Sequence, residues 1–354
     1  MDGAASMSQE LERLSAAWEG EDDAEAFPRG RLAQLRAAGL LDRFVPVAPG
    51  AETDALYDAL RLIGAADLCL GRIFEGHVNA AQLVQAYGSN AQREALRSDL
   101  AAGRVFGVWA AGEPGVTLSR EGGGWRLEGR KTFASGAGEI ERALVPARTE
   151  EGGRRLVLVD VEGQPERADL SGWRMRGMKG TVSGAYDFTG VAVGNEALIG
   201  GPGDYEREPR FSAGAWRFCA VQLGAAEALV RRLREAIRDG RGDDPVGRAR
   251  FAGAVTAVRS AGLWVRQAAQ AAERMEEDAA ALTLMTRGVV EEAALQATEA
   301  AARGIGTASF RHGRVDRITR DLGLYLRQPA PDAARDRAAI AWIERDRWGE
   351  GRWW

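Results

Sequence analysis

The sequence predicts an α+β protein in which an antiparallel β domain lies between two helical domains. The middle segment, residues 105–200, alternates apolar and polar residues and is rich in glycine, as expected for short strands joined by tight turns. The flanking segments, residues 1–104 and 201–354, repeat apolar residues at spacings of three and four, as helices that bury one face do. Because no helical period interrupts the middle segment, its strands are expected to pair with one another.

The N-terminal domain, residues 1–104, is predicted to contain several short helices. Leu11, Leu14 and Trp18 lie on one helical face. Ser89 follows a glycine and is a typical N-cap for the last helix of the domain. Further helices are expected over a segment that ends at Gly39, over residues 54–62 and over residues 73–87.

The middle domain, residues 105–200, carries five runs with strand character. Each run is bounded by glycine, proline or charged residues. The segment 121–124, Glu followed by three glycines, predicts a β-hairpin. The runs are residues 105–111, 124–131, 143–148, 154–161 and 185–193.

The C-terminal domain, residues 201–354, resembles a four-helix bundle in its pattern. Gly253, Ala257 and Ala261 recur at helix-contact spacing, and such small residues let long helices approach closely. This small-residue face also predicts a symmetric homodimer or homotetramer. The helices are expected at about residues 216–238, from the break at 240–245 to about 277, 280–303 and 331–345.

Composition excludes several classes of protein. The net charge is −4 and the isoelectric point is near 5.6, which argues against a nucleic-acid partner. No apolar run reaches the roughly 20 residues that cross a bilayer, and the polar N-terminus is unlike a signal peptide. With only two cysteines, Cys69 and Cys219, a cytoplasmic protein without disulfides is expected. Two cysteines and two histidines at unrelated spacings predict no metal site.

Four motifs resemble those of the acyl-CoA dehydrogenase flavoproteins. Residues 109–114, Trp-Ala-Ala-Gly-Glu-Pro, are similar to the family's aromatic-x-x-Thr-Glu-Pro loop, and residues 131–135, Lys-Thr-Phe-Ala-Ser, to its Lys-x-Trp-Ile-Thr strand. Residues 177–183 resemble its Gly-x-Arg-x-Ser segment, and residues 317–321 its Arg-x-x-Arg-Asp motif. The resemblance covers most of the chain. The four motifs in this order identify the family more specifically than any single motif does.

This resemblance implies an FAD cofactor whose isoalloxazine ring lies along the ends of the middle-domain strands. Ser135 takes the place of the family's threonine near flavin N5, and Phe133 that of its tryptophan against the ring. Arg248 has the spacing of the arginine that reaches the FAD pyrophosphate, with Arg238 and Arg241 as alternatives. The cofactor-binding residues implied are Trp109, Gly112, Glu113, Phe133, Ser135 and Arg248.

The sequence departs from the dehydrogenases at the catalytic base. In one large subgroup, a glutamate lies nine residues before the aspartate of the Arg-Asp pair, and counting back from Asp321 reaches His312 instead. Glu227 and Glu235 lie near the other position that the family uses. A neutral imidazole has a pKa suited to proton abstraction, so His312 is a candidate catalytic residue. Chemistry on an acyl-CoA thioester is nevertheless doubtful.

Other features resemble the family's two-component monooxygenase branch. These enzymes take reduced flavin from a separate reductase, and they use histidines and hydroxyls near the flavin. His77 lies where that branch often has a histidine facing the substrate, which makes it a second candidate catalytic residue. Three functions therefore stay open: an FAD-dependent acyl-CoA dehydrogenase-like oxidoreductase, a monooxygenase using reduced flavin, FMN included, and a non-catalytic oligomeric scaffold. The partners implied are a small-molecule substrate, such as an acyl thioester, and a flavin reductase or electron-transfer protein.

Overall fold

The computed structural model describes residues 2–19, 25–112, 115–241, 244–327 and 329–344, and its elements follow the predicted order of helices, strands and helices. The helices are α1 (Asp2–Glu19), α2 (Arg29–Ala37), α3 (Ala51–Ala66), α4 (Leu68–Tyr87), α5 (Asn90–Ala101), α6 (Arg210–Ala213), α7 (Trp216–Ala236), α8 (Pro245–Glu273), α9 (Ala279–Ile305), α10 (Arg314–Tyr325) and α11 (Pro331–Glu344). The strands are β1 (Phe106–Val108), β2 (Val116–Glu121), β3 (Gly124–Ala134), β4 (Arg142–Thr149), β5 (Arg154–Asp160), β6 (Ala168–Asp169), β7 (Gly184–Asp187), β8 (Val191–Val193) and β9 (Leu198–Ile199). The predicted fold class is thereby confirmed.

The strands form one sheet in the order β6-β7-β3-β2-β4-β5-β9, with β1 paired to β4 and β8 paired to β3. Most of the pairs are antiparallel, as predicted, but β1 and β2 both run parallel to β4, so the sheet is mixed. The predicted hairpin joins β2 to β3, where Glu121 faces Gly124 across a two-residue turn. Gly122 has a φ of 58° there, a conformation that glycine adopts without steric cost.

The predicted N-cap at Ser89 is also confirmed. The Ser89 hydroxyl accepts a hydrogen bond from the Gln92 backbone N–H at 3.3 Å, and the Gln92 side chain accepts one from the Ser89 N–H at 2.8 Å. This reciprocal pair is a capping box, which satisfies two donors that the first turn of α5 would otherwise leave without a partner.

Grouped by proximity, the chain forms two compact units. A helical unit contains residues 1–23, 48–68 and 208–354, and a sheet unit contains residues 24–47 and 69–207. The helices of the first 104 residues are thus divided, with α1 and α3 in the helical unit and α2 and α5 in the sheet unit. The division of the sequence into domains 1–104, 105–200 and 201–354 stays a prediction.

Each unit has its own core. In the sheet unit, apolar residues of α4 and α5 pack against strands; the buried ones include Val84, Leu96, Leu100, Phe106, Leu144, Leu156 and Ile199. In the helical unit, α7 packs against α3 and α9, and α9 also packs against α8.

Among the described residues, no helix has the length and apolar character needed to cross a membrane.

Candidate functional site

The carboxyl end of β3 presents an aromatic side chain at the surface. Phe133 has a φ of 52°, a left-handed conformation that costs a bulky residue on the order of 1–3 kcal/mol. Its side chain is 45% exposed, and its ring meets that of Trp173 edge to face at 6.2 Å. Such strain often accompanies a functional site, and here it accompanies an aromatic face that a planar ligand could cover.

Trp109 supports this region from the core. Its ring is buried against Tyr186, with ring centroids 5.0 Å apart, and its indole Nε1 donates a hydrogen bond to the Ser135 carbonyl at 2.9 Å. Its own backbone N–H donates to the Leu144 carbonyl at 3.0 Å. Trp109, predicted to bind the cofactor, therefore fixes the backbone of Ser135, while Phe133 presents the exposed aromatic surface.

Three hydroxyl groups form a chain that ends at Ser135. The Ser135 Oγ lies 2.9 Å from the Ser183 Oγ, which lies 2.7 Å from the Thr181 Oγ1. The Thr181 hydroxyl donates to the Met178 carbonyl at 2.7 Å. Thr181 and Ser183 are buried, whereas Ser135 is partly exposed, so the chain runs from the interior to the surface. We call Ser135, Ser183 and Thr181 the hydroxyl chain.

Backbone strain also surrounds the hydroxyl chain. Met178 and Val182 have φ values of 54° and 40°, and for a β-branched residue such as Val182 this is a genuine outlier. The Gly136 N–H donates to the Thr181 carbonyl at 2.8 Å, which ties the segment 178–184 to the end of β3. Thr181 and Ser183 lie within the motif at residues 177–183, but their link to Ser135 could be found only from the structure, because it joins segments 48 residues apart.

The loop after β1 lies against β3. The Thr132 N–H donates to the Ala111 carbonyl at 3.2 Å, and a Cβ built on Gly112 would lie 3.1 Å from the same nitrogen. Gly112, with a φ of 122°, therefore allows a close approach of two backbone segments. The buried Lys131 ammonium donates to the Ala110 carbonyl at 3.4 Å. Glu113, predicted to bind the cofactor, lies outside the described residues.

A small cavity of about 10 Å³ lies beside Ser135 in the sheet unit. It is far smaller than the roughly 300–1,000 Å³ typical of cavities that hold drug-sized ligands, and it has room for about one water molecule. Apolar side chains dominate its lining, which consists of Arg72, Ile73, Gly76, Phe106, Gly107, Val108, Trp109, Ser135 and Ile140.

His77 lies in α4 with both ring nitrogens bonded to the backbone. Its Nε2 lies 2.6 Å from the Leu41 carbonyl and must donate, and its Nδ1 accepts from the Phe106 N–H at 3.1 Å. The side chain is completely buried, and this burial lowers the pKa of His77 to about 4. This geometry holds His77 as a neutral imidazole that links α4 to β1, and it gives no support to the predicted catalytic role.

The other two predicted residues, His312 and Arg248, belong to the helical unit. His312 is fully exposed, and its Nδ1 lies 4.0 Å from an Asp316 carboxylate oxygen. Arg248 is exposed near the start of α8. The structure thus groups Trp109, Gly112, Phe133 and Ser135 in the sheet unit. The cofactor-binding and catalytic roles of all the predicted site residues stay predictions.

The grouped residues fit a flavin. An exposed aromatic face at Phe133 suits stacking on a planar ring, and the adjacent Ser135 hydroxyl suits the polar edge of that ring. Within the described ranges, no cluster of three or more His, Cys, Asp or Glu side chains is arranged to hold a metal ion.

Comparison with known proteins finds no matching family model. The chain is 29% identical to dibenzothiophene monooxygenase from Rhodococcus erythropolis in an alignment 227 positions long, which covers 58% of the chain. It is 24% identical to mitochondrial isobutyryl-CoA dehydrogenase from Dictyostelium discoideum in an alignment 239 positions long, which covers 61% of the chain. These matches cover 54% and 56% of the two relatives, so the chain spans about half the length of the curated relatives it matches.

Among solved structures, the dibenzothiophene monooxygenase TdsC from Paenibacillus sp. A11-2, in complex with FMN and indole, matches with a TM-score of 0.84 at 18% identity. That match covers 97% of each chain and therefore extends the common fold over nearly all of the molecule. Sequence motifs, element order and these comparisons agree that the chain has the fold of the acyl-CoA dehydrogenase flavoproteins and is similar in sequence to flavin-dependent members of that superfamily.

Proposed function

We propose that this protein is a monooxygenase that uses reduced flavin supplied by a separate reductase. The observation that carries the proposal is the pairing of the exposed Phe133 ring with the Ser135 hydroxyl at the end of β3. Similarity to dibenzothiophene monooxygenase supports oxygen transfer rather than dehydrogenation. When bound, the reduced flavin would supply the electrons that activate dioxygen.

The chain's own residues would bind and orient the reactants. Phe133 would stack on the flavin ring, Ser135 would bond its polar edge, and Trp109 would hold the Ser135 backbone in place. The apolar side chains around the cavity beside Ser135 would keep water away from this edge of the ring. The substrate is proposed to be a small aromatic heterocycle, since the solved complex of TdsC contains indole.

The flavin is proposed to be FMN rather than the FAD implied by the dehydrogenase resemblance. The isoalloxazine ring is common to both flavins, and the solved complex of TdsC contains FMN. FAD would need a cationic group for its pyrophosphate, for which Arg248, Arg238 and Arg241 stay candidates. The cytoplasmic location and the homo-oligomeric state likewise stay predictions.

The proposal is tested by supplying FMN, a flavin reductase, NADH, ¹⁸O₂ and either dibenzothiophene or indole to the purified protein. One ¹⁸O atom in the product, found by mass spectrometry and lost without the protein, is the expected result. Parallel reactions with FAD decide between the two flavins. Product formed equally by the reductase and flavin alone would refute the monooxygenase.

Acyl-CoA dehydrogenation is the second candidate, favoured by the similarity to isobutyryl-CoA dehydrogenase. It predicts that an acyl-CoA reduces the protein-bound oxidised flavin without oxygen. A protein that binds neither oxidised nor reduced flavin would instead be the non-catalytic scaffold. The absorbance spectrum with each flavin form, recorded anaerobically before and after an acyl-CoA is added, therefore separates the dehydrogenase and the scaffold from the monooxygenase.

A further inference from the structure

The hydroxyl chain has only one arrangement of hydrogens that satisfies all its contacts. The Met178 carbonyl can only accept, so the hydrogen in its 2.7 Å contact with Thr181 comes from the threonine. Thr181 has no second hydroxyl hydrogen, so Ser183 donates to Thr181 across their 2.7 Å contact. Ser135 must then donate to Ser183 across 2.9 Å.

As a result, the Ser135 oxygen presents lone pairs, and no hydrogen, to the surface. Reversing the chain would leave the Thr181 and Met178 oxygens 2.7 Å apart with no hydrogen between them. Thr181 is 1% exposed and Ser183 is 6% exposed, so water does not readily replace the missing contact. The buried end of the chain therefore fixes Ser135 as a hydrogen-bond acceptor.

The two redox forms of a flavin differ in what they offer to such an acceptor. Reduced flavin carries a hydrogen on N5 and donates, whereas the oxidised N5 has only a lone pair and accepts. Building on the proposed function, we infer that the hydroxyl chain makes this site selective for reduced over oxidised flavin, with Thr181 and Ser183 as positioning residues that set the polarity of Ser135.

The inference is tested by anaerobic titration of the purified protein with oxidised FMN and with photoreduced FMN, measured by calorimetry. Reduced FMN gains a hydrogen bond from its N5–H to the Ser135 oxygen, where oxidised FMN would place two lone pairs against each other. This difference predicts about tenfold tighter binding of the reduced form. For a two-electron couple, a tenfold preference raises the midpoint potential of bound FMN by about 30 mV, which gives a second measurement.

Thr181→Val is the decisive variant, because it removes the hydroxyl furthest from the flavin and keeps the side-chain shape. Ser183 then has no acceptor at Thr181 and can donate to Ser135, which frees the Ser135 hydrogen to point outward. We expect binding of oxidised FMN to strengthen and the preference for reduced FMN to fall to about twofold or less. Thr181→Ser keeps the hydroxyl and should restore the preference.

Thr117→Val is the matched control. Thr117 lies on β2, where its exposed hydroxyl donates only a long hydrogen bond, 3.4 Å, to the Glu128 carbonyl. The same chemical change there should leave both affinities as they are. Should Thr181→Val fail to fold, Ser183→Ala breaks the same chain and carries the same expectation.

The outcomes separate this inference from the proposed function. If wild-type protein binds neither form of FMN nor of FAD, the flavin proposal fails and the inference fails with it. If both forms bind but wild type and Thr181→Val show the same ratio of affinities, the selectivity does not arise from the hydroxyl chain, and only this inference is overturned. Tighter binding of oxidised flavin by wild type would overturn it as well.

Discussion

His77 shows how the environment of a single residue decides between catalysis and structure. A histidine that faces a substrate needs one nitrogen available to it, whereas both nitrogens of His77 are bonded to the backbone of Leu41 and Phe106. The imidazole is also completely buried, so the protonated form is disfavoured. Local sequence spacing could place His77 on a helix. Whether its ring faces a cavity or the core depends on its contacts with Leu41 and Phe106, which are 36 residues before it and 29 residues after it.

A pH-dependent contribution to stability follows from this burial. The pKa of His77 is near 6.5 when unfolded and about 4 when folded, so the unfolded chain binds the extra proton between these values. The free energy of unfolding is therefore expected to fall as pH drops from 6.5 towards 4, with about 2 kcal/mol lost between pH 7 and pH 5 through this group.

Urea unfolding at pH 7 and pH 5 would measure the difference. In His77→Gln the amide can keep both backbone hydrogen bonds without titrating, so the loss of stability at pH 5 should shrink by about 2 kcal/mol. His312→Gln is the matched control, because it makes the same substitution at a fully exposed side chain. An unchanged pH dependence in His77→Gln would show that its protonation is not linked to folding.

At the scale of elements, two glycines allow α3 and α7 to approach closely. A Cβ built on Gly224 of α7 would lie 1.9 Å from the Arg61 carbonyl, and one on Gly64 of α3 would lie 2.2 Å from the Val221 carbonyl. Both clashes are with backbone atoms, which cannot rotate away as a side chain can. The packing of these helices therefore depends on the absence of a side chain at both positions.

Gly224→Ala is expected to lower the free energy of unfolding by about 3 kcal/mol, because the two helices must move apart and lose packing. Gly323→Ala on α10 is the control, since nothing lies within 4 Å of a Cβ built there. Alanine has the higher helix propensity, so this control should be stabilised by up to about 1 kcal/mol. Denaturant midpoints that moved equally in the two variants would contradict the close contact.

The sequence predicted elements better than it predicted their pairing. The period of two located β1, β3, β4, β5 and the segment that holds β7 and β8, but it missed β2, β6 and β9. The spacing of apolar residues located α7, α8, α9 and α11 to within a few residues. The parallel pairing of β1 and β2 with β4 was not predicted, because local periodicity carries no information on which distant strands meet. α10 has no counterpart among the predicted helices, although Ile318, Leu322 and Tyr325 have helical spacing and form its buried apolar face.

The same limit applies to the site. Phe133 and Ser135 could be selected from a motif, since their residue types and spacing are local to one strand. Ser135 and Ser183 are 48 residues apart, and only the folded sheet unit brings their hydroxyls to 2.9 Å. The left-handed conformations of Phe133, Met178 and Val182 were likewise not predicted, because none of these residue types favours a positive φ.

At the scale of the whole molecule, the predicted assembly can be tested separately from the chemistry. Gly253, Ala257 and Ala261 of α8 form the small-residue face from which a homodimer or homotetramer is predicted. Ala261 is buried, and Gly253 and Ala257 are partly exposed. Light scattering at micromolar concentration should give two or four times the chain mass of 38.0 kDa. A stable monomer would contradict the prediction.

The choice between the two proposed activities turns on whether any base in this chain can act on a thioester. Removal of the weakly acidic α-proton needs a positioned general base, which contributes roughly 10²–10⁴-fold in rate. The residue nine positions before Asp321 is His312, whose side chain is fully exposed, and Glu227 and Glu235 are paired with Arg61 and Arg232 at 2.6 and 2.8 Å. We therefore expect negligible dehydrogenation of straight-chain acyl-CoAs.

Anaerobic mixing of the flavin-loaded protein with butyryl-CoA and octanoyl-CoA tests this expectation, with the absorbance of oxidised flavin near 450 nm as the measurement. The band should persist, because a thioester that binds without an aligned base does not transfer hydride. Dithionite bleaching of the same sample confirms that its flavin is reducible. Rapid bleaching by an acyl-CoA would overturn the expectation, and the variants His312→Ala, Glu227→Gln and Glu235→Gln would then identify the base by the loss of that bleaching.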